Sequence, residues 1–157
     1  MSDDTKNVFI SHVHEDDDGL RKLKELLKTN GMTIRDYSIN SDNPNNAKSE
    51  EYIKNEILAP RIRQSSTVIV YITPDTKDSK YVDWEIEYAE SQNKRIVGVW
   101  AWGEAGCDLP EALDQHYDAI VGWNGGKIID AISGAFNGYE SADGSQREKR
   151  SIKPHPC

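Results

Sequence analysis

The sequence predicts a single α/β domain in which helices cover both faces of a five-stranded parallel sheet. Strand-like apolar runs alternate five times with helix-like segments, the pattern of parallel strands joined by right-handed helical crossovers. The run at residues 66–72 is rich in β-branched residues throughout, as is typical of a central parallel strand. A chain of 157 residues is long enough for one buried core and too short for two ordinary domains.

The first two predicted strands flank one helix. The segment at residues 7–12 is short and apolar, which predicts the first strand. After a polar turn, four leucines recur at helical spacing, and an Asn-Gly pair ends this predicted helix. Residues 32–37 are predicted to form the second strand. The stretch at residues 38–48 is rich in Asn and has little apolar surface to bury, so we interpret it as a mobile lid.

The rest of the chain continues the alternation. A helix capped by Ser49 is expected to kink or end at Pro60. The later elements are a strand at 66–72, a helix at 80–94, a strand at 95–100, a short helix from Pro110, a strand at 119–123 and a helix from Gly125. Together they predict a flavodoxin-like three-layer fold of strand order 2-1-3-4-5 over residues 1–137, followed by a polar, flexible tail at residues 138–157.

The composition excludes several classes of protein. A net charge of −8 argues against nucleic-acid binding, which relies on clustered Lys and Arg. No apolar run approaches the roughly 20 residues that span a bilayer, and the amino terminus lacks the apolar segment of a secretory signal. We therefore expect a cytoplasmic protein that does not bind membranes, with Cys107 and Cys157 as free thiols.

Glu85 occupies an unusual position on its predicted helix. At about 100° per residue it falls opposite the polar stripe, among aromatic and apolar side chains. That stripe consists of Asp83, Glu87, Glu90 and Lys94. A carboxylate on the core-facing side loses hydration, so it needs a partner, a raised pKa or a chemical role. Two interpretations stay open: a catalytic group, or a buried glutamate neutralised by a hydrogen bond.

In a sheet of this order, ligands bind outside the carboxyl ends of strands 1 and 3. The helix of Glu85 starts near those ends, so the unusual carboxylate and the expected ligand site coincide. His12 and His14 alternate across the end of strand 1, which leaves too few ligands in register for a metal ion, and we predict no metal site. No P-loop and no GxGxxG motif occur.

Three segments resemble TIR (Toll/interleukin-1 receptor) domains. Residues 8–16, Val-Phe-Ile-Ser-His-Val-His-Glu-Asp, are similar to the opening of that family, and the resemblance continues through residues 68–74. Residues 81–86, Tyr-Val-Asp-Trp-Glu-Ile, are similar to a family motif that contains a glutamate. More narrowly, the short chain and its His-rich first loop resemble the TIR-like proteins of bacterial Thoeris anti-phage systems.

The chain also departs from the family pattern. The loop after strand 2 lacks the usual Pro-Gly pair. Trp84 lies immediately before Glu85, and Tyr81 takes the place where the family has its tryptophan. These departures leave the position of the glutamate intact and affect the expected substrate contacts and assembly.

The resemblance implies an enzyme that consumes NAD, cleaves its nicotinamide glycosidic bond and makes a cyclic or conjugated ADP-ribose signal for a separate effector protein. NAD is then the substrate, and no cofactor is expected. The family's catalytic glutamate matches Glu85, and the resemblance further implies homo-oligomers and a phage-derived activator. Around the glutamate we expect substrate contacts from Phe9, Ser11, His12, Asp36, Asn40, Tyr81 and Trp84.

The alternative is a non-catalytic protein-interaction or adaptor module, since many animal TIR domains only self-associate. A small domain with no fused partner module favours the enzyme. Turnover of NAD by the purified protein distinguishes the two.

Overall fold

The fold is known from a computed structural model that describes residues 4–12, 17–36, 58–101, 109–140 and 146–147. Within these ranges the elements are β1 (Asp4–Ser11), α1 (Asp17–Thr29), β2 (Met32–Asp36), α2 (Ala59–Gln64), β3 (Thr67–Ile72), a 3-10 turn (Thr76–Asp78), α3 (Lys80–Ser91), β4 (Arg95–Trp100), α4 (Glu111–His116), β5 (Ala119–Val121), α5 (Gly125–Ser133), β6 (Tyr139–Glu140) and β7 (Gln146–Arg147).

Some predicted features lie outside the described residues, namely the helix start at Ser49, the lid at residues 38–48, and both cysteines. Pro60 lies in the first turn of α2, where its missing N–H is not needed for an intrahelical hydrogen bond. Among the helices of the described ranges, none is long and apolar enough to cross a membrane.

Strands β1 to β5 are all parallel and lie in the order 2-1-3-4-5, which confirms the predicted topology. In this register Phe9 lies beside Val68, and Ser11 lies beside Val70. Every residue of β3 is buried, as expected for a central strand covered on both faces. The carboxyl ends of β1 and β3 are therefore neighbours, and the 3-10 turn connects β3 to α3.

Two apolar clusters cover the two faces of the sheet and confirm the three-layer arrangement. On one face, α1 and α5 pack through residues such as Leu23, Leu27 and Ile128. On the other face, α2, α3 and α4 pack through Ile62, Val82, Ile86 and Leu113, with Phe9 and Val70 from the sheet. The side chains of a strand alternate between these two clusters, so each position of β1 belongs to one face only.

The sheet continues beyond β5 with two short strands that the sequence did not predict. β6 pairs in parallel with β5, and β7 pairs antiparallel with β6. Tyr139 and Glu140 belong to the predicted flexible tail from residue 138 onward, but both are buried in the sheet instead. For the other residues of the predicted tail, flexibility stays a prediction.

Polar contacts explain why a glutamate is buried in β6. Oε1 of Glu140 accepts a hydrogen bond from the N–H of Gly122 at 3.0 Å, and Oε2 lies 3.5 Å from Nζ of Lys127. The indole N–H of Trp100 donates to the Glu140 carbonyl at 2.9 Å. These partners come from β4 and from the residues that follow β5, so the local composition around residue 140 does not reveal them.

We predict that Glu140→Ala lowers the free energy of unfolding by about 1–3 kcal/mol, because the buried N–H of Gly122 loses its acceptor. Urea denaturation followed by circular dichroism measures the change. Glu87→Ala is the matched control, since Glu87 is exposed on α3 and its loss should alter stability by less than about 0.5 kcal/mol. Equal stability of Glu140→Ala and the wild type would mean that Glu140 does not hold β6 in the sheet.

Candidate active site

A buried threonine holds the connection between β3 and α3. Thr76 Oγ1 accepts a hydrogen bond from the backbone N–H of Thr73 at 2.9 Å and donates one to the carbonyl of Tyr71 at 3.0 Å. Ser79 then caps α3 by accepting a hydrogen bond from the N–H of Val82 at 3.2 Å. These local bonds fix where α3 begins, and therefore which of its side chains face the sheet.

α3 directs one glutamate toward the sheet. Its buried residues are Val82, Glu85, Ile86 and Ala89, and Glu85 is only 7% exposed. The core-facing position that the helical periodicity predicted for Glu85 is therefore confirmed. Glu87, from the predicted polar stripe, is exposed.

The Glu85 carboxyl group lies against the end of β1. The Ser11 hydroxyl donates a hydrogen bond of 2.5 Å to Oε1 of Glu85, across 74 positions of sequence. Ser11 is fully buried. Because side chains alternate along a strand, Phe9 lies on the same face as Ser11, and it belongs to the apolar cluster that also contains the core residues of α3.

The surroundings of Glu85 favour its neutral form. Burial raises the pKa of the Glu85 carboxyl to about 8, and the hydrogen bond from Ser11 opposes this rise only in part. In the described ranges, no cluster of His, Cys, Asp and Glu side chains could hold a metal ion. Because the pKa of the Glu85 carboxyl lies above neutral pH, this carboxyl is mostly protonated there. A cation placed beside it would favour the ionised form.

Two predicted substrate contacts lie on α3 beside Glu85. Tyr81 is one helical turn before Glu85 and is the most exposed large apolar side chain in the described ranges, at 36%. The Trp84 ring stacks on the ring of Tyr88 at a centroid distance of 5.2 Å and an interplanar angle of 7°. The Tyr88 hydroxyl accepts a hydrogen bond of 2.7 Å from Arg63 on α2. Tyr81 is thus partly exposed, whereas Trp84 packs on a neighbouring side chain, and the substrate contacts expected of both stay predictions.

The remaining residues expected to contact the substrate are His12, Asp36 and Asn40. His12 follows Ser11 at the end of β1, and its Nδ1 lies 2.8 Å from the carbonyl oxygen of Ile10. Asp36 ends β2, where its backbone lies beside Val8 of β1. Asn40 lies outside the described residues. The structure therefore places Phe9 and Ser11 on the face of β1 toward Glu85, and every expected substrate contact, including those of His12, Asp36 and Asn40, stays a prediction.

Sequence reasoning missed two residues that support the site. Thr76 could have been found from the segment Thr-Pro-Asp-Thr after β3, because threonine hydroxyls often close tight turns. No sequence signal identifies Arg63, which reaches Tyr88 across 25 positions from a different helix.

A groove of about 380 Å³ lies elsewhere on the molecule. It is lined by Lys22, Glu25, Leu26 and Thr29 of α1 together with Trp123. Since α1 packs on the opposite face of the sheet from α3, this groove is separate from Glu85. A shallow groove without a buried ionisable group is a weaker candidate for chemistry than the buried carboxyl at the end of β1.

Comparison with known proteins adds an independent observation. The family model of the Thoeris protein ThsB, TIR-like domain, matches residues 9–106. The chain is also 24% identical over 123 residues to the putative cyclic ADP-D-ribose synthase TIR2 of Cytobacillus dafuensis. That match covers 78% of this chain and 32% of the relative, so the chain spans about a third of the length of the curated relative it matches.

Two solved structures are similar at low identity. The CMP N-glycosidase BcmB of Clostridium botulinum gives a TM-score of 0.43 at 16% identity, covering 60% of this chain and 71% of that one. The TIR domain of the Toll-related receptor TRR-2 from Hydra magnipapillata gives a TM-score of 0.47 at 19% identity, covering 70% of this chain and 80% of that one.

The raised pKa of Glu85 predicts a specific dependence of stability on pH. Between the ordinary value of 4.5 and the folded value of about 8, the native state binds a proton that the unfolded state has lost. This group's contribution to stability therefore falls as pH rises through that window. Glu85→Gln lacks this titrating group. We therefore expect its free energy of unfolding, relative to that of the wild type, to increase with pH in this window by up to about 1.4 kcal/mol per pH unit.

Urea denaturation at pH values from 4 to 9 measures this difference. Glu87→Gln is the control, since it makes the same chemical change on the exposed side of α3 and should follow the wild type. A constant difference between Glu85→Gln and wild type across the window would contradict a buried, neutral Glu85.

Proposed function

Because the chain belongs to the Thoeris ThsB TIR-like domain family, we propose that it cleaves the nicotinamide glycosidic bond of NAD and makes a cyclic or conjugated ADP-ribose signal in anti-phage defence. The observation that carries this proposal is the buried Glu85 carboxyl, bonded to Ser11 where β1 ends and α3 passes. The similarity to a putative cyclic ADP-D-ribose synthase supports the same class of reaction.

The chemistry of this bond suits a single carboxylate. When the bond between the ribose C1′ and the pyridine nitrogen breaks, the electron pair leaves with nicotinamide, which departs as a neutral molecule and needs no proton. Positive charge develops on the ribose, as in an oxocarbenium ion, and a carboxylate shielded from water stabilises it strongly. Attack on C1′ by a nucleophile of the ADP-ribose itself, or by another acceptor, then gives the cyclic or conjugated product.

The ionisation of Glu85 is coupled to the substrate in this scheme. Nicotinamide in NAD carries a positive charge on its ring, and a cation close to a buried carboxyl lowers its pKa. Binding of NAD would therefore produce the carboxylate where its charge is needed. Tyr81, one helical turn away and partly exposed, supplies a surface for the ring or the ribose.

The setting follows from the same proposal. NAD is an intracellular metabolite, so the reaction takes place in the cytoplasm, and the product acts on a separate effector protein. Unrestrained consumption of NAD would harm the host cell, so we expect the resting site to be incomplete. Self-association or a phage-derived activator would complete it by positioning the ribose beside Glu85.

We predict that Glu85→Gln keeps the fold and lowers NAD turnover by ~10²-fold or more, because an amide of nearly the same shape cannot stabilise developing positive charge. Mass spectrometry of the products formed from NAD measures the activity. Glu87→Gln should retain wild-type turnover. A folded Glu85→Gln variant with unchanged turnover would remove Glu85 from the mechanism, and inactive wild-type protein under all conditions would favour an adaptor.

We also predict that the purified protein turns over NAD slowly until its assembly changes or an activator is added. The measurement compares turnover over a wide range of protein concentrations, with and without lysate from phage-infected cells. Lysate from uninfected cells and the Glu85→Gln variant are the controls. Fast turnover that is independent of concentration and of lysate would show that no such gate exists.

A further inference from the structure

We propose that Ser11 is a positioning residue: its hydroxyl favours the ionised form of the Glu85 carboxyl over the protonated form and fixes the orientation of that carboxyl, and it does not contact the substrate. The catalytic consequence of this contact rests on the proposed function, whereas the contact itself does not. The proposal replaces the expectation that Ser11 binds the nucleotide directly.

The burial of Ser11 is the first argument. Its side chain is fully enclosed, beside Val70 of β3 and on the same face of β1 as Phe9. A hydroxyl with no accessible surface cannot bond a ligand unless the strand moves. Its single proton is already donated to Oε1 of Glu85 at 2.5 Å.

The direction of the hydrogen bond is the second argument. A hydroxyl that donates to a carboxyl oxygen bonds more strongly when that oxygen is charged, so it stabilises the carboxylate over the carboxylic acid. Among the described residues, Ser11 is the one side chain hydrogen-bonded to Glu85. It is therefore the described group that opposes the effect of burial on this carboxyl.

The charged side chains on the elements around α3 are not bonded to the Glu85 carboxyl in the described ranges. The face of β3 toward α3 carries Val68, Val70 and Ile72, none of which titrates. In the described ranges, no charged or titratable side chain on the elements packed against α3 is bonded to Glu85. These side chains include His12 at the end of β1, Arg63 on α2, Lys77 in the 3-10 turn, Asp83 on α3 itself, Arg95 on β4 and His116 on α4.

The test follows the titration of Glu85 directly in the full chain. Glutamate side chains are labelled with ¹³C at the carboxyl carbon, the Glu85 signal is assigned by its loss in Glu85→Gln, and its chemical shift is recorded against pH. In Ser11→Ala we expect the midpoint to rise by about one to two pH units, because a hydrogen bond to a charged group is removed.

Ser65→Ala is the matched control. Ser65 is also buried, and its hydroxyl donates a hydrogen bond of 3.0 Å to the carbonyl of Arg61 on α2, not to Glu85. This variant should leave the midpoint of Glu85 unchanged. Should Ser11→Ala not fold, Ser11→Cys serves instead, since the thiol is a weaker donor and should raise the midpoint by a smaller amount.

The pH dependence of kcat/KM for NAD supplies a second readout. In Ser11→Ala its rising limb should move to higher pH by the same amount as the titration, and activity should recover once the carboxyl is ionised. An unchanged midpoint in a folded Ser11→Ala or Ser11→Cys variant would overturn the proposal. So would a loss of activity that persists at high pH, because it would mean that Ser11 acts on the substrate or on the fold.

The two hypotheses fail in different ways. If the titration midpoint of Glu85 moves as expected and even the activated wild type does not turn over NAD, the positioning role of Ser11 is confirmed and the proposed function is wrong. If NAD is consumed and the midpoint does not move, the proposed function stands and the role of Ser11 is wrong.

Discussion

The hydrogen bond between Ser11 and Glu85 joins the carboxyl end of β1 to the core-facing side of α3. Several parts of the fold are needed to make it. The parallel register places Ser11 beside Val70, and the Thr76 turn with the Ser79 cap sets the rotation of α3. Because interiors are closely packed, a small shift in any of these elements would separate a buried donor from its acceptor.

The described part of the chain contains two buried glutamates with different surroundings. Glu140 has a backbone N–H and the ammonium group of Lys127 as partners, so its charge is compensated and it links β6 to the sheet. Glu85 has one neutral hydroxyl as its described partner, and burial shifts the pKa of its carboxyl to about 8. A buried carboxylate whose negative charge is balanced by its partners is suited to a structural position. Incomplete compensation suits a group that must respond to the charge of a ligand.

The aromatic side chains of α3 make contacts on the outer side of the helix. Trp84 stacks on Tyr88, and Tyr88 is hydrogen-bonded to Arg63, so the outer side of α3 is linked to α2 in addition to the packing of its inner side on the sheet. Contacts of this kind fix the position of α3 and therefore the direction of its buried carboxyl. The departure of this chain from the family motif thus has a structural counterpart, since its tryptophan stacks on Tyr88 of the same helix.

The topology and the unusual glutamate could be predicted from the chain alone, because both depend on local periodicity. Alternating apolar runs and helical segments predict a parallel sheet covered by helices on both faces, and a spacing of about 100° per residue places Glu85 opposite the polar stripe. The donor to Glu85, the strand formed by Tyr139 and Glu140, and the bond from Arg63 to Tyr88 required the three-dimensional structure. Each joins residues from separate elements, and a hydrogen bond between distant positions leaves no periodic signal in either segment.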